Sequence, residues 1–193
     1  MALHFKRARV SINCMASLVR IADTAVDLRN PHPEPRVPDR VKSSAERAAV
    51  GLLIVDKAEP TVIFTRRHPD IRFGNQYCFP GGKVDSTDTS IEQTVLREIR
   101  EEIDLTASRY EIIGRLGQYY TQSGFCITPF VGIVAADYTV ALNPAEVSGL
   151  KEIPLIDVLD PDQYQLMKWG GNRAHYHFRL KDFDVSGPTV SMM

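Results

Sequence analysis

The chain predicts an α/β fold, an α/β/α sandwich around a mixed β-sheet. Two observations point there. Short apolar segments rich in β-branched residues recur along the chain, separated by turn residues. Among them lies one strong segment of helical periodicity, Thr89 to Ile103. The length agrees: 193 residues, 44% of them hydrophobic, suffice for one domain with a proper core.

The elements follow in order. The first 22 residues carry Lys6, Arg7, Arg9 and Arg20 and no acid. That composition is compatible with a mitochondrial-type presequence, but a leader ahead of the fold is the favoured reading. Ala16 to Leu28 sets Leu18, Ile21, Ala25 and Leu28 at helical spacing, which predicts a docking helix. Prolines at 31, 33, 35 and 38 predict an extended linker with no helix from Asn30 to Arg40. Arg47 to Asp56 is an apolar strand. Asp56 to Pro60 then makes a hairpin turn into the strand Thr61 to Arg66. Arg67 to Gln76 reads as a loop and Tyr77 to Pro80 as a short strand. At Phe79-Pro80-Gly81-Gly82 this strand breaks into a glycine loop, where the backbone can approach a ligand and turn carbonyls inward. After the helix come strands at Glu111 to Tyr120 and Ile127 to Ala135, a short helix or turn at Ile156 to Leu159, and a late strand at Tyr176 to Leu180.

The helix carries the chemistry. Ile91, Val95, Ile99 and Ile103 recur every four residues and make a stripe for burial. Each residue turns the helix by about 100°, so Glu98, Glu101 and Glu102 fall within one sector on the other side. Three carboxylates on one face repel each other unless a cation sits among them. Mg²⁺ or Mn²⁺ fits, because hard cations take oxygen ligands and a diphosphate completes the shell. Two adjacent glutamates alone would be a solvated face. Here the Gly-Gly loop, Arg97, Glu98 and the apolar stripe stand in register with them.

This arrangement resembles the Nudix box, G-x5-E-x7-R-E-U-x-E-E-x-G-U, with U aliphatic. Its second half matches Arg97-Glu98-Ile99-Arg100-Glu101-Glu102-Ile103-Asp104-Leu105. Five residues lead from Gly82 to Asp88, which stands where the box has Glu, and eight more lead to Arg97 where the box has seven. Asp104 replaces the usual Gly, and it can take the left-handed cap at some cost. The stretched form, with Val62 to Arg67, Gln76 to Gly82, Ser123 to Gly132 and Asn143-Pro144-Ala145-Glu146-Val147, resembles the coenzyme A pyrophosphatase branch of that family. The branch usually has Ser where His68 stands, and a His-x-Gly pair near Phe73-Gly74-Asn75.

The resemblance implies a Nudix-type sandwich over 45–193, preceded by a leader, helix and Pro-rich linker over 1–44. It implies metal-assisted attack of water on a diphosphate. Glu98, Glu101, Glu102 and the Gly81 carbonyl would serve as metal ligands, with Mg²⁺ or Mn²⁺ as cofactor. Arg97 would orient the acids by pairing with Asp88. Glu146, outside the box, would be the general base or a plain loop acid. The implied substrate is a small-molecule nucleotide. Coenzyme A or an acyl derivative would be cut to 3′,5′-ADP and 4′-phosphopantetheine. ADP-ribose, a dinucleotide or a nucleoside triphosphate is the alternative, and a non-catalytic nucleotide sensor on the same fold is the other. Arg66, Arg67 and Arg72 precede the box and could pair with phosphates, or form surface salt bridges. Relatives end in a C-terminal helix. Pro188 interrupts that pattern, and an apolar patch left there would favour a homodimer.

The remaining composition excludes some classes. A net charge of −1 argues against a general nucleic-acid binder. No apolar run approaches the roughly 18 residues a membrane span requires. Cys14, Cys78 and Cys126 form neither a zinc pattern nor a disulfide framework, so a reducing intracellular compartment is the simplest expectation, the cytoplasm ahead of the mitochondrion. Tyr119, Tyr120 and Phe125 could stack on a base but read as core. His175 and His177 read as sheet residues, and Trp169 as packing.

Overall fold

The computed structural model describes residues 37–169 and 173–193. The expected leader and docking helix fall outside the described residues.

A short helix α1, Asp39–Ser43, comes first. It corrects the expectation of an extended linker through Arg40. Pro38 caps the helix with φ −58°, where its ring costs nothing, and its carbonyl accepts from the N–H of Val41 at 2.8 Å. Strands β1 (Glu46–Asp56) and β2 (Thr61–Arg67) form the expected hairpin, with Ile54 opposite Val62. Along its full length β1 also pairs, in parallel, with β7 (Phe125–Ala135).

The other edge of β1 is divided. β2 takes the end near Val55, and β4 (Gly81–Lys83) takes the stretch Ala48 to Val50. Between them the Gly51 N–H donates to the Pro80 carbonyl at 2.8 Å. Gly81-Gly82 is therefore not the free loop expected, because β1 offers its backbone groups a ladder. Strand β3 (Tyr77–Cys78) lies on β2. The single strand expected from Glu111 to Tyr120 is two, β5 (Tyr110–Arg115) and β6 (Tyr119–Tyr120), both on β7. Strand β8 (Val147–Pro154), which lies against β2, was not expected. These eight strands make one mixed sheet.

Helix α2 (Ile91–Ile103) covers one face of this sheet. Val95, Ile99 and Ile103 are fully buried there against Ala49, Leu53, Ile63 and Phe130. The opposite face is covered by a small sheet in the order β11-β10-β9, from β9 (Tyr164–Trp169), β10 (Arg173–Leu180) and β11 (Phe183–Ser186). The one-turn helices α3 (Leu155–Val158) and α4 (Pro188–Ser191) join that layer. Phe64 stacks between the layers, its centroid 4.9 Å from both Phe79 and Phe183. Pro188 opens α4 instead of breaking it, since Pro is tolerated in a first turn. Val190 and Met192 behind it are buried in this second core. Among the described residues no helix is long and apolar enough to cross a membrane.

Candidate active site

The site lies where β4, the end of β2 and α2 meet. Ser90 starts α2: its side chain accepts from the Gln93 N–H at 3.1 Å, which is why the helix begins at Ile91. Asp104 ends it in the left-handed conformation, φ 48° and ψ 36°. The apolar stripe fixes the helix roll on the sheet, and that roll turns Glu98 and Glu102 toward β4.

Two glycines make room for them. A Cβ on Gly82 would stand 2.4 Å from Glu98 Oε1, so no side chain fits between strand and carboxylate. At Gly81 φ is +150°, and a Cβ would meet the Ala49 carbonyl at 2.3 Å.

The third acid arrives from outside the helix. The chain after β7 returns along the end of α2, where the Ala141 N–H donates to the Ile103 carbonyl (3.0 Å) and the Asn143 N–H to the Glu102 carbonyl (2.9 Å). The Asn143 side chain accepts from the Ala145 N–H at 3.1 Å and donates to Glu146 Oε1 at 3.3 Å. This sets Glu146 beside the helix. One oxygen from each of Glu98, Glu102 and Glu146 falls within 4.8 Å of the others.

Arg97 organises the flank. Its guanidinium donates to both Asp88 oxygens (3.0 and 3.1 Å), the Lys83 carbonyl (2.9 Å), Glu98 Oε1 (2.9 Å) and Glu101 Oε2 (2.8 Å). Asp88 also accepts from Thr94 Oγ1 and the Asp85 N–H, each at 2.8 Å. Its bonds to Arg97, then that backbone N–H, hold its carboxyl well below the usual range. Glu101 stands apart from the three clustered acids and is half exposed.

The cluster itself is under-compensated. Burial raises the Glu98 carboxyl, against the pull of Arg97. Burial first, then the Glu98 charge, pushes Glu102 up to about 8, while Arg67 and the Gly81 N–H oppose. Glu102 is 4% exposed and its Oε2 has no hydrogen-bond partner. A buried carboxylate oxygen with no donor, beside two more carboxylates, is costly unless it is protonated or faces a cation. An all-oxygen donor set of this kind fits Mg²⁺ or Mn²⁺.

The three arginines stand on β2 and its following loop. Arg67 is the basic charge that bears on Glu102, and its Nε donates to the Arg72 carbonyl at 3.1 Å. Arg66 Nε donates to the Asn75 carbonyl at 3.4 Å. The guanidinium of Arg72 lies 4.7 Å from the Phe73 ring centroid. The loop is tied to the third acid, since the His68 N–H donates to the Glu146 carbonyl at 2.7 Å. Tyr119 is a core residue, and Phe125 lies under Lys83 at 5.2 Å. His175 and His177 face each other on β10 of the small sheet, Nε2 to Nε2 at 2.9 Å. Cys78 is a free thiol near Glu102, its pKa raised by burial and then by that charge. The sequence showed Asn143 only as part of the segment that ends in Val147, without a role, and did not point to Thr94. Each acts only through a partner that the fold delivers, and neither spacing carries a signal.

A family model described as NUDIX domain matches residues 45–170. The "Uncharacterized Nudix hydrolase NudL" of Photorhabdus laumondii is 35% identical over 163 residues, covering 82% of this chain and 87% of that one. The protein of the same name from Yersinia enterocolitica is 41% identical over 128 residues, covering 66% of each chain. The chain thus spans just under two thirds of the length of that Yersinia relative. Among solved structures, a C. elegans Ap4A hydrolase aligns with TM-score 0.50 at 16% identity, over 58% of this chain and 83% of that one, which shows a shared fold.

Proposed function

The chain belongs to the NUDIX domain family, and from that premise we propose that it is a metal-dependent pyrophosphohydrolase acting on a nucleoside diphosphate derivative. One observation carries the reading: the convergence of Glu98, Glu102 and Glu146 around a buried carboxylate oxygen that lacks a partner. Glu98, Glu102 and the Gly81 carbonyl would hold Mg²⁺ or Mn²⁺, with Glu101 extending the acidic face. A divalent cation in such a site neutralises phosphate charge and lowers the pKa of water.

The chain's own groups do the rest. Arg97, anchored by Asp88, holds the Glu98 carboxylate, so Glu98 is oriented in advance. Glu146 Oε1 is engaged by Asn143, leaving Oε2 to take the proton of the attacking water. Arg67, Arg66 and Arg72 neutralise the phosphates from the β2 side. Coenzyme A or an acyl derivative is the substrate favoured, giving 3′,5′-ADP and 4′-phosphopantetheine. Its 3′-phosphate gives three neighbouring arginines something to bind, and the segment pattern of that branch supports it.

The test is a cleavage panel with Mg²⁺ and Mn²⁺: coenzyme A, dephospho-coenzyme A, ADP-ribose, a dinucleotide and dNTPs. Metal-dependent cleavage of coenzyme A ahead of its dephospho form is expected. Preference for another member would discard coenzyme A and keep the reaction. Nucleotide binding without turnover of any member would discard the enzyme and leave a nucleotide sensor.

A further inference from the structure

The loop between β2 and β3 presents a second kind of surface beside the acids. Phe73 is 52% exposed on it. It is also strained: φ is +60° at Phe73 and +64° at Asn75. A bulky side chain in the left-handed region is uncommon, and such outliers gather where geometry serves a ligand. The surrounding contacts enforce it. Gly74 is so close to the Pro69 carbonyl that a Cβ would stand 2.3 Å away, and its N–H donates to the Ile71 carbonyl at 2.9 Å. Three further bonds named above, from Arg67, Arg66 and the His68 N–H, tie the loop to β2 and to Glu146.

The result is a planar aromatic face on a braced loop, with the Arg72 guanidinium against it and with Arg67, whose charge bears on Glu102, bonded to the Arg72 carbonyl. Aromatic surface and guanidinium side by side suit a ligand that is planar and phosphate-bearing. Resting on the proposed function, we propose that Phe73 is the stacking platform for the nucleobase of the substrate, with Arg72 taking the phosphate next to it. The ring then sets preference for nucleotides over base-free diphosphates, while the acids set the reaction.

Binding of 3′,5′-ADP and of inorganic pyrophosphate, measured calorimetrically with Mg²⁺ on the full chain, tests this. Phe73→Ala should weaken 3′,5′-ADP about ten-fold, the scale of one base–aromatic stack, and leave pyrophosphate unchanged. Phe73→Trp should restore the nucleotide affinity, and Phe73→Leu should not. Arg72→Ala should weaken both probes. In turnover, Phe73→Ala should raise KM and leave kcat. Unchanged 3′,5′-ADP affinity in Phe73→Ala, with wild-type cleavage intact, would overturn the platform alone. Equal weakening of both probes would overturn it too, by reducing Phe73 to a loop support. Wild-type protein that binds neither probe would overturn the platform and the proposed function together.

Discussion

At Gly82 the margin between a working site and a blocked one is a single methyl group. The Cβ of an alanine there would fall 2.4 Å from Glu98 Oε1, so Gly82→Ala must push the carboxylate out of place. Displacements near 1 Å cost roughly a hundred-fold in rate, and a loss of that size in kcat is expected with the thermal midpoint nearly unchanged. Legibility at this scale divides cleanly. Glu98, Glu102, Arg97 and Asp88 were readable because one helix and its preceding turn carry them at fixed spacing. The nearness of Glu146 was not readable from spacing. It depends on backbone bonds from Ala141 and Asn143 to the end of α2, which join residues some forty positions apart. Glu101, equal to its neighbours in sequence, stands apart from the cluster on the half-exposed side of the helix, where it accepts from Arg97.

Helix α2 was legible as an element because its stripe has a clear period; its start, expected at Thr89, falls at Ile91 because Ser90 caps it. Each feature predicts a measurable cost. Ile99, fully buried against the sheet, should lose about 2–5 kcal/mol on change to Ala, read as a shifted denaturant midpoint. Ser90→Ala removes the side-chain acceptor for the Gln93 N–H and should cost about 1 kcal/mol. Asp104 pays for a left-handed cap that glycine adopts freely, so Asp104→Gly should stabilise by about 0.5–1 kcal/mol. Strand β8 was missed for the opposite reason. Its buried ends, Val147 and Ile153, enclose Gly149, Lys151 and Glu152, which erase any period of two. The glycine strand β4 was hidden in the same way: Gly81 and Gly82 have no side chains to alternate, and only pairing with β1 makes them a strand.

At the scale of the molecule, the central sheet carries two cores, and the acids stand at the rim of the one under α2. That placement sets a pH dependence. Glu102 has an ordinary value of 4.5 and is raised to about 8, chiefly by burial. The folded state therefore keeps a proton that the unfolded chain releases. The contribution is fully present below pH 4.5 and is lost as pH rises to about 8. Protein freed of divalent cations should show a falling thermal midpoint from pH 6 to 8. Glu102→Gln should flatten that fall, and added Mg²⁺ should oppose it by mass action. The mixed sheet and its helical cover were legible from the interleaving of strand segments with one helix. The small sheet β9–β11 was seen only through part of β10, because β11 alternates over just four residues and the sequence of β9 has no clear period of two.

The most direct measurement pairs Mn²⁺ affinity with Mn²⁺-dependent coenzyme A cleavage in wild-type protein and in Glu98→Gln. Removing one of three clustered carboxylates should weaken Mn²⁺ binding at least ten-fold and lower kcat by about a thousand-fold, equivalent to about 4 kcal/mol, with the fold intact by circular dichroism. Unchanged Mn²⁺ affinity and cleavage in a folded Glu98→Gln protein would contradict the assignment of this cluster as the catalytic centre.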